Sequence, residues 1–258
     1  ERPAMPMAWL QYVVPALLIA TRLSGLMLVA PFFGADAAPP RVRAGLVIAL
    51  TALLLPITHT SLPSQSLLAW FGDGISELVI GVLLGLVMQI VFEGAQLAGG
   101  VAAFQLGLGL ESSIDPTTQA DSTVLATFHN LVALYLFLQM GVHRWVLLAL
   151  TSSFITLPLG ASLAALNGRQ LLEFAGNLWV WGLELVLPIL IATLLIDVTL
   201  GFFAKAAPQL PVIFVGIPVK ELVGYAVLLG AVRYWPGLFS HQFSQALSYF
   251  MQHARPLA

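Results

Sequence analysis

"ELVIGVLLGLVMQIVFE", residues 77–93, decides the fold class. The run is aliphatic throughout, except that Glu77, Gly81, Gly85, Gln89 and Glu93 recur every four residues. On a helix of about 3.6 residues per turn, that spacing drifts by roughly 40° per step and draws one slowly winding stripe of small and polar groups. Gly81 and Gly85 form a GxxxG pair, whose missing side chains let a second helix approach closely. A carboxylate facing lipid is costly, so the stripe faces protein or water. Two uses are open to it: helix packing along its whole length, or packing with Gln89 and Glu93 also lining an aqueous path.

The rest of the chain repeats this character. Of its 258 residues, 59% are hydrophobic and 9% charged, with a mean hydropathy of +0.94. Soluble domains carry roughly 25% charged residues, so the composition is that of an integral membrane protein. The length holds about six spans of roughly 20 residues and leaves no room for a separate soluble domain. Apolar segments fall at about 9–33, 42–57, 67–100, 122–158, 177–207 and 210–235, with an amphipathic tail near 236–253. Their runs are continuous, without the alternation of barrel strands, which predicts an all-α membrane protein. Trp9 to Phe33 is too long for a signal h-region and reads as a retained first helix.

Several segments fit a plain span poorly. The second is short, and the third reaches roughly 50 Å at about 1.5 Å per residue. Gly141, His143 and Arg144 interrupt 122–158 as a hairpin tip between two short helices, and Pro158 ends the second of these. Arg41 and Arg43, after the Pro39–Pro40 turn, favour the cytoplasmic side.

The remaining charges are few and isolated. Thr193, Asp197, Gly201 and Lys205 repeat the spacing of four. Arg22 and Glu184 stand alone in apolar surroundings, to be satisfied by each other or by another chain. Arg22, Glu184, Asp197, Lys205 and Lys220 are therefore read as charges satisfied on another helix or subunit. A net charge of -2 with scattered basic residues carries no nucleic-acid footprint. The five histidines lack ligand spacing, so no metal is expected, and the absence of cysteine removes thiolate sites. No GxSxG elbow, Walker A or GxGxxG loop occurs, so neither catalysis nor a cofactor is expected.

In order, "RLSGLMLVAPFFGADAAPPRVRAGLVIAL" (22–50), "ELVIGVLLGL" (77–86), "QLAGGVAAFQLGLGLESSIDP" (96–116), "ALYLFLQMGVHRWVLLALTSSFITLPLG" (133–160) and "GFFAKAAPQLPVIFVGIPVKELVG" (201–224) resemble the FliR/SctT family of type III export gate subunits. The Gly141–His143 turn and "APQL" place the resemblance on the flagellar side rather than with the SctT-type subunits of virulence secretion.

The resemblance implies a non-enzymatic subunit of the bacterial inner membrane and flagellar basal body. Its partners would be FliP-like and FliQ-like subunits and an FlhB-like switch protein, and its cargo unfolded export substrates. The implied fold is a set of inclined helical hairpins, a FliP-like unit over 1–175 fused to a FliQ-like hairpin and tail over 176–258. It also implies that the loop 105–116 plugs the channel. Leu106, Leu108, Leu110 and Ile114 would supply an apolar stopper, Gly107 and Gly109 its freedom, Glu111, Ser112, Ser113 and Asp115 its polar part, and Pro116 its end. Pro211, where the family often has a small polar residue, implies a sharper turn before the last helices. The alternative from another class is an independent secondary transporter using Glu93, Asp197 and Lys205. The aromatic residues of the tail, Phe239, Phe243 and Phe250, suit either an interfacial helix or a partner's groove.

Overall fold

The computed structural model describes residues 10–31, 39–58, 67–108, 123–161, 168–207, 209 and 212–253. Every regular element among them is helical. They are α1 (Leu10–Val29), α2 (Pro40–Leu54), α3 (Leu67–Leu106), α4 (Val124–Gln139), α5 (Val142–Thr156), α6 (Gly168–Ala175), α7 (Asn177–Ala206), α8 (Val212–Ala231), a 3₁₀ turn (Val232–Tyr234) and α9 (Trp235–His253). This is the all-α membrane class. Lipid offers no partner to an open backbone group, and a helix satisfies its own.

Four of these stretches are long and apolar enough to cross a membrane, or five if the interrupted pair α4–α5 is one span. About six were expected. The second apolar segment forms only the 15-residue α2, about 22 Å long and too short to span alone. By contrast α3 continues for 40 residues.

The breaks fall where the chemistry requires them. Pro40 occupies the first turn of α2, where its missing N–H is harmless. Gly141 sits between α4 and α5 at φ 69°, a left-handed backbone that favours glycine. Pro158 follows the end of α5.

The chain divides into two compact units that interleave along the sequence. One comprises residues 1–90, 141–175 and 244–258; the other comprises 91–140 and 176–243. In the first, Ile19, Leu23, Leu26, Ile80, Leu84 and Met88 are fully buried. In the second, the core is aromatic: Phe92, Phe137 and Phe243 form a triangle with ring centroids 5.7–5.8 Å apart. Phe239 lies 6.0 Å from Phe243, and Trp235 lies 4.7 Å from His129. The tail is therefore not held in reserve for lipid or a partner. Phe239, Phe243 and Phe250 are only 1%, 0% and 5% exposed, because α9 turns its aromatic face inward.

Candidate functional site

The glycine loop begins inside a defined cap. The Leu108 N–H donates to the Ala103 carbonyl at 3.0 Å and the Gly107 N–H to the Phe104 carbonyl at 3.1 Å, while Gly107 takes φ 83°. Together these bonds make a Schellman motif, which satisfies the last carbonyls of a helix and needs a left-handed residue at Gly107. Leu106 is 1% exposed and occupies the notch left by Gly224 of α8, so closely that a Cβ there would overlap its side chain. Leu106, Gly107 and Leu108 are thus the part of the expected plug that the structure places. Leu106 is core, and the other two close α3. On the far side of the loop, Thr123 caps α4, its hydroxyl accepting the Ala126 N–H at 3.3 Å. Gly99 brings α3 against α4, where a Cβ would lie 2.7 Å from the Ala126 nitrogen. Gly109, Leu110, Glu111, Ser112, Ser113, Ile114, Asp115 and Pro116 lie outside the described residues, as does Pro211.

The first half of the stripe faces α1. A Cβ on Gly81 would strike the Arg22 carbonyl, and one on Gly85 would stand 3.0 Å from the Ala30 nitrogen. Gly25 reciprocates from α1, where a Cβ would lie 3.0 Å from the Val82 nitrogen. The two backbones are thus in near contact, as small-residue crossings permit.

Glu77 stands at the edge of this crossing, fully buried, and pairs with the equally buried Arg22. The guanidinium Nε donates to Glu77 Oε2, Nη1 to Ser153 Oγ at 3.0 Å and Nη2 to the Leu157 carbonyl at 2.9 Å. Its face stacks on Phe154, 4.2 Å from the ring centroid. The other carboxylate oxygen, Glu77 Oε1, accepts the N–H of Gly160 at 3.0 Å. One ion pair therefore ties together α1, α3, α5 and the turn after α5. Arg22 was expected to meet Glu184 or another subunit. Its partner is Glu77 because Gly25 and Gly81 bring those two helices close enough for the side chains to meet.

Gln89 and Glu93 are half-buried, and both are engaged by other groups of the chain. Beyond them Gly94 meets α7, with Gly182 opposite: a Cβ on Gly182 would come within 2.9 Å of the Gly94 carbonyl.

Asp197 was placed in one row with Lys205. It pairs on another helix of the chain, with Lys220 of α8, Nζ lying 3.0 Å from each carboxylate oxygen. Asp197 and Lys205 thus form no relay along α7. Lys205 is exposed on the last turn of α7, with no ion pair among the described residues. Glu184 is exposed and accepts a long hydrogen bond, 3.4 Å, from the buried Gln242. Sequence reasoning passed over Gly25, Gly94, Gly160 and Gly182. The faint signal was that Gly25 lies one turn after Arg22 in "RLSG".

Comparison with known proteins places these features in a family. Residues 13–246 match the family described as Bacterial export proteins, family 1. The chain is 34% identical over 225 residues to the flagellar biosynthetic protein FliR of Pectobacterium carotovorum subsp. carotovorum, covering 87% of this chain and 86% of the relative. It is 30% identical over 243 residues to FliR of Escherichia coli (strain K12), covering 93% and 91%. A third FliR, from Buchnera aphidicola subsp. Baizongia pistaciae (strain Bp), is 28% identical over 222 residues, covering 84% and 85%. Matches that run nearly end to end on both partners leave one assignment: the chain belongs to the bacterial export proteins, family 1, with the FliR proteins of flagellar biosynthesis.

Proposed function

We propose that this chain is a multi-pass inner-membrane subunit of the flagellar type III export gate, assembled with FliP-like and FliQ-like subunits and contacting an FlhB-like switch protein. It lines and closes the channel through which unfolded substrates leave. The division into a FliP-like part, 1–175, and a FliQ-like part, 176–258, belongs to the same proposal. Membership of the export family supports the setting.

The observation that supports the gating step is the anchoring of the loop. Both of its ends are capped helices of one compact unit, closed at Gly107 and opened at Thr123. The two helices that carry the segment are thus closed by their own residues and need nothing from it to stay capped. Leu110 and Ile114 give the segment apolar groups suited to sealing a pore against ions.

The test follows from the cap. Deleting residues 109–113, while keeping Gly107 and Leu108, shortens the loop without uncapping α3. Ion leak is then measured across membranes holding the assembled complex, and it should rise well above wild type. A complex that assembles normally and leaks no more than wild type would overturn the plug.

A further inference from the structure

The last turn of α3 rests on one face of α8. Leu106 is 1% exposed, and its side chain fills the hollow at Gly224, where an added Cβ would overlap Cδ2 and stand 3.2 Å from Cδ1 and Cγ. One residue on, a Cβ at Gly107 would lie 3.9 Å from Ile217 Cγ2. Ile217 and Gly224 are about two turns apart on the same side of α8. Between them in sequence, Lys220 ties α8 to Asp197 of α7 at 3.0 Å, so the seat is itself held in place.

Of the two elements in this contact, α3 is the one that gives way. Only its end is involved, and the last carbonyls of a helix depend on the cap for their partners. A larger residue at 224 would meet an enclosed Leu106, which can retreat only by lifting the cap formed at Gly107 and Leu108. The residues that follow this cap in sequence are those of the proposed plug, 109–116.

We propose that Gly224 is a positioning residue for the plug: by leaving room for Leu106, it sets the point from which the loop leaves α3. The proposal rests on the plug reading and adds to it a determinant more than a hundred residues away in sequence.

The test is a size exchange across the contact. Gly224→Ala is assembled with the FliP-like and FliQ-like subunits, and ion leak is measured across vesicles holding the complex. The leak should rise at least about fivefold, the lower end of what a packing clash does to a two-state population. Leu106→Ala, which empties the same hollow, should also raise it. The double variant replaces the leucine tip with the new methyl group and should return the leak to within about twofold of wild type, since residues in contact do not act additively. A contact that served stability alone would move melting and assembly but not leak. As a control, Gly230→Ala on the same helix meets nothing within 4 Å among the described residues and should leave the leak unchanged.

Should Gly224→Ala fail to assemble, Leu106→Ala and the double variant decide. A single variant that assembles without added leak overturns the positioning role, as does a double variant that leaks like Gly224→Ala or a Gly230→Ala that leaks as much. Failure of both single variants to assemble would make the contact one of folding and overturn it too. The deletion of 109–113 is run beside them. If it leaks while Gly224→Ala does not, only the positioning role falls; if the deletion does not leak, the plug reading falls and the positioning role with it.

Discussion

Two ion pairs of opposite character mark the two compact units. Arg22–Glu77 is fully buried, and its nitrogens and oxygens are engaged by Ser153, Leu157 and Gly160 as well as by each other. Asp197–Lys220 has similar chemistry, but its acid is nearly half exposed. The glycines near each pair show the same contrast. Gly81 has a neighbouring backbone pressed against it, whereas Gly201 has open space. Similar residues at similar spacing thus meet different surroundings: the crossing at Gly81 is closed by a neighbouring helix of its own chain, whereas the surface at Gly201 is open among the described residues.

The largest expected effect comes from breaking the closed pair. Arg22→Leu would leave Glu77 buried without a counter-ion and would remove the donors to Ser153 Oγ and the Leu157 carbonyl. Truncating one partner of a buried pair costs about 3–5 kcal/mol, against a typical total of about 5–15. The expected outcome is a chain that no longer survives detergent extraction as a monodisperse species. Glu77→Gln should cost less, because the amide oxygen can still accept the Gly160 N–H. An Arg22→Leu chain that melts like wild type would erase the contrast between the pairs.

A sharper version of the comparison exchanges only hydrogen for methyl. Gly81→Ala drives a Cβ into the Arg22 carbonyl and should cost about 1–3 kcal/mol, as overpacking does. Gly201→Ala meets nothing within 4 Å among the described residues, so helix propensity governs it and should favour alanine by up to about 1 kcal/mol. Thermal melts of the two purified variants should therefore shift in opposite directions. Shifts of equal sign would show that the space above Gly201 is filled.

These contrasts also show what the sequence can and cannot reveal. The helical class was legible because aliphatic runs of that length leave a membrane chain little alternative. The breaks at Gly141 and after Pro158 were legible because glycine and proline act locally. Pairings were not. Arg22 and Glu77 are 55 residues apart in sequence, and only the glycine crossing between their helices unites them. No periodicity within one helix foretells its partner, which is why Arg22 was left to Glu184 or another chain and the partner of Asp197 to an unnamed helix or subunit. The packing of Leu106 was not legible for a related reason. It sits in a glycine-rich stretch that reads as loop, yet it fills the notch at Gly224, which lies more than a hundred residues away.

The smallest effect belongs to a third pair, which calibrates the other two. Arg169 Nε lies 3.0 Å from Glu173 Oε1, one turn apart on α6, with side chains 87% and 63% exposed. Water competes for both groups and salt screens them, so the coupling should be about 0.3–0.5 kcal/mol in a double-mutant cycle of Arg169→Ala and Glu173→Ala. It should fade at about 1 M salt, where the Debye length is only about 3 Å. The same cycle on Arg22 and Glu77 should give a coupling several times larger and insensitive to salt, because neither solvent nor ions reach that pair. If the exposed pair coupled as strongly as the buried one, burial would not be the variable that separates them.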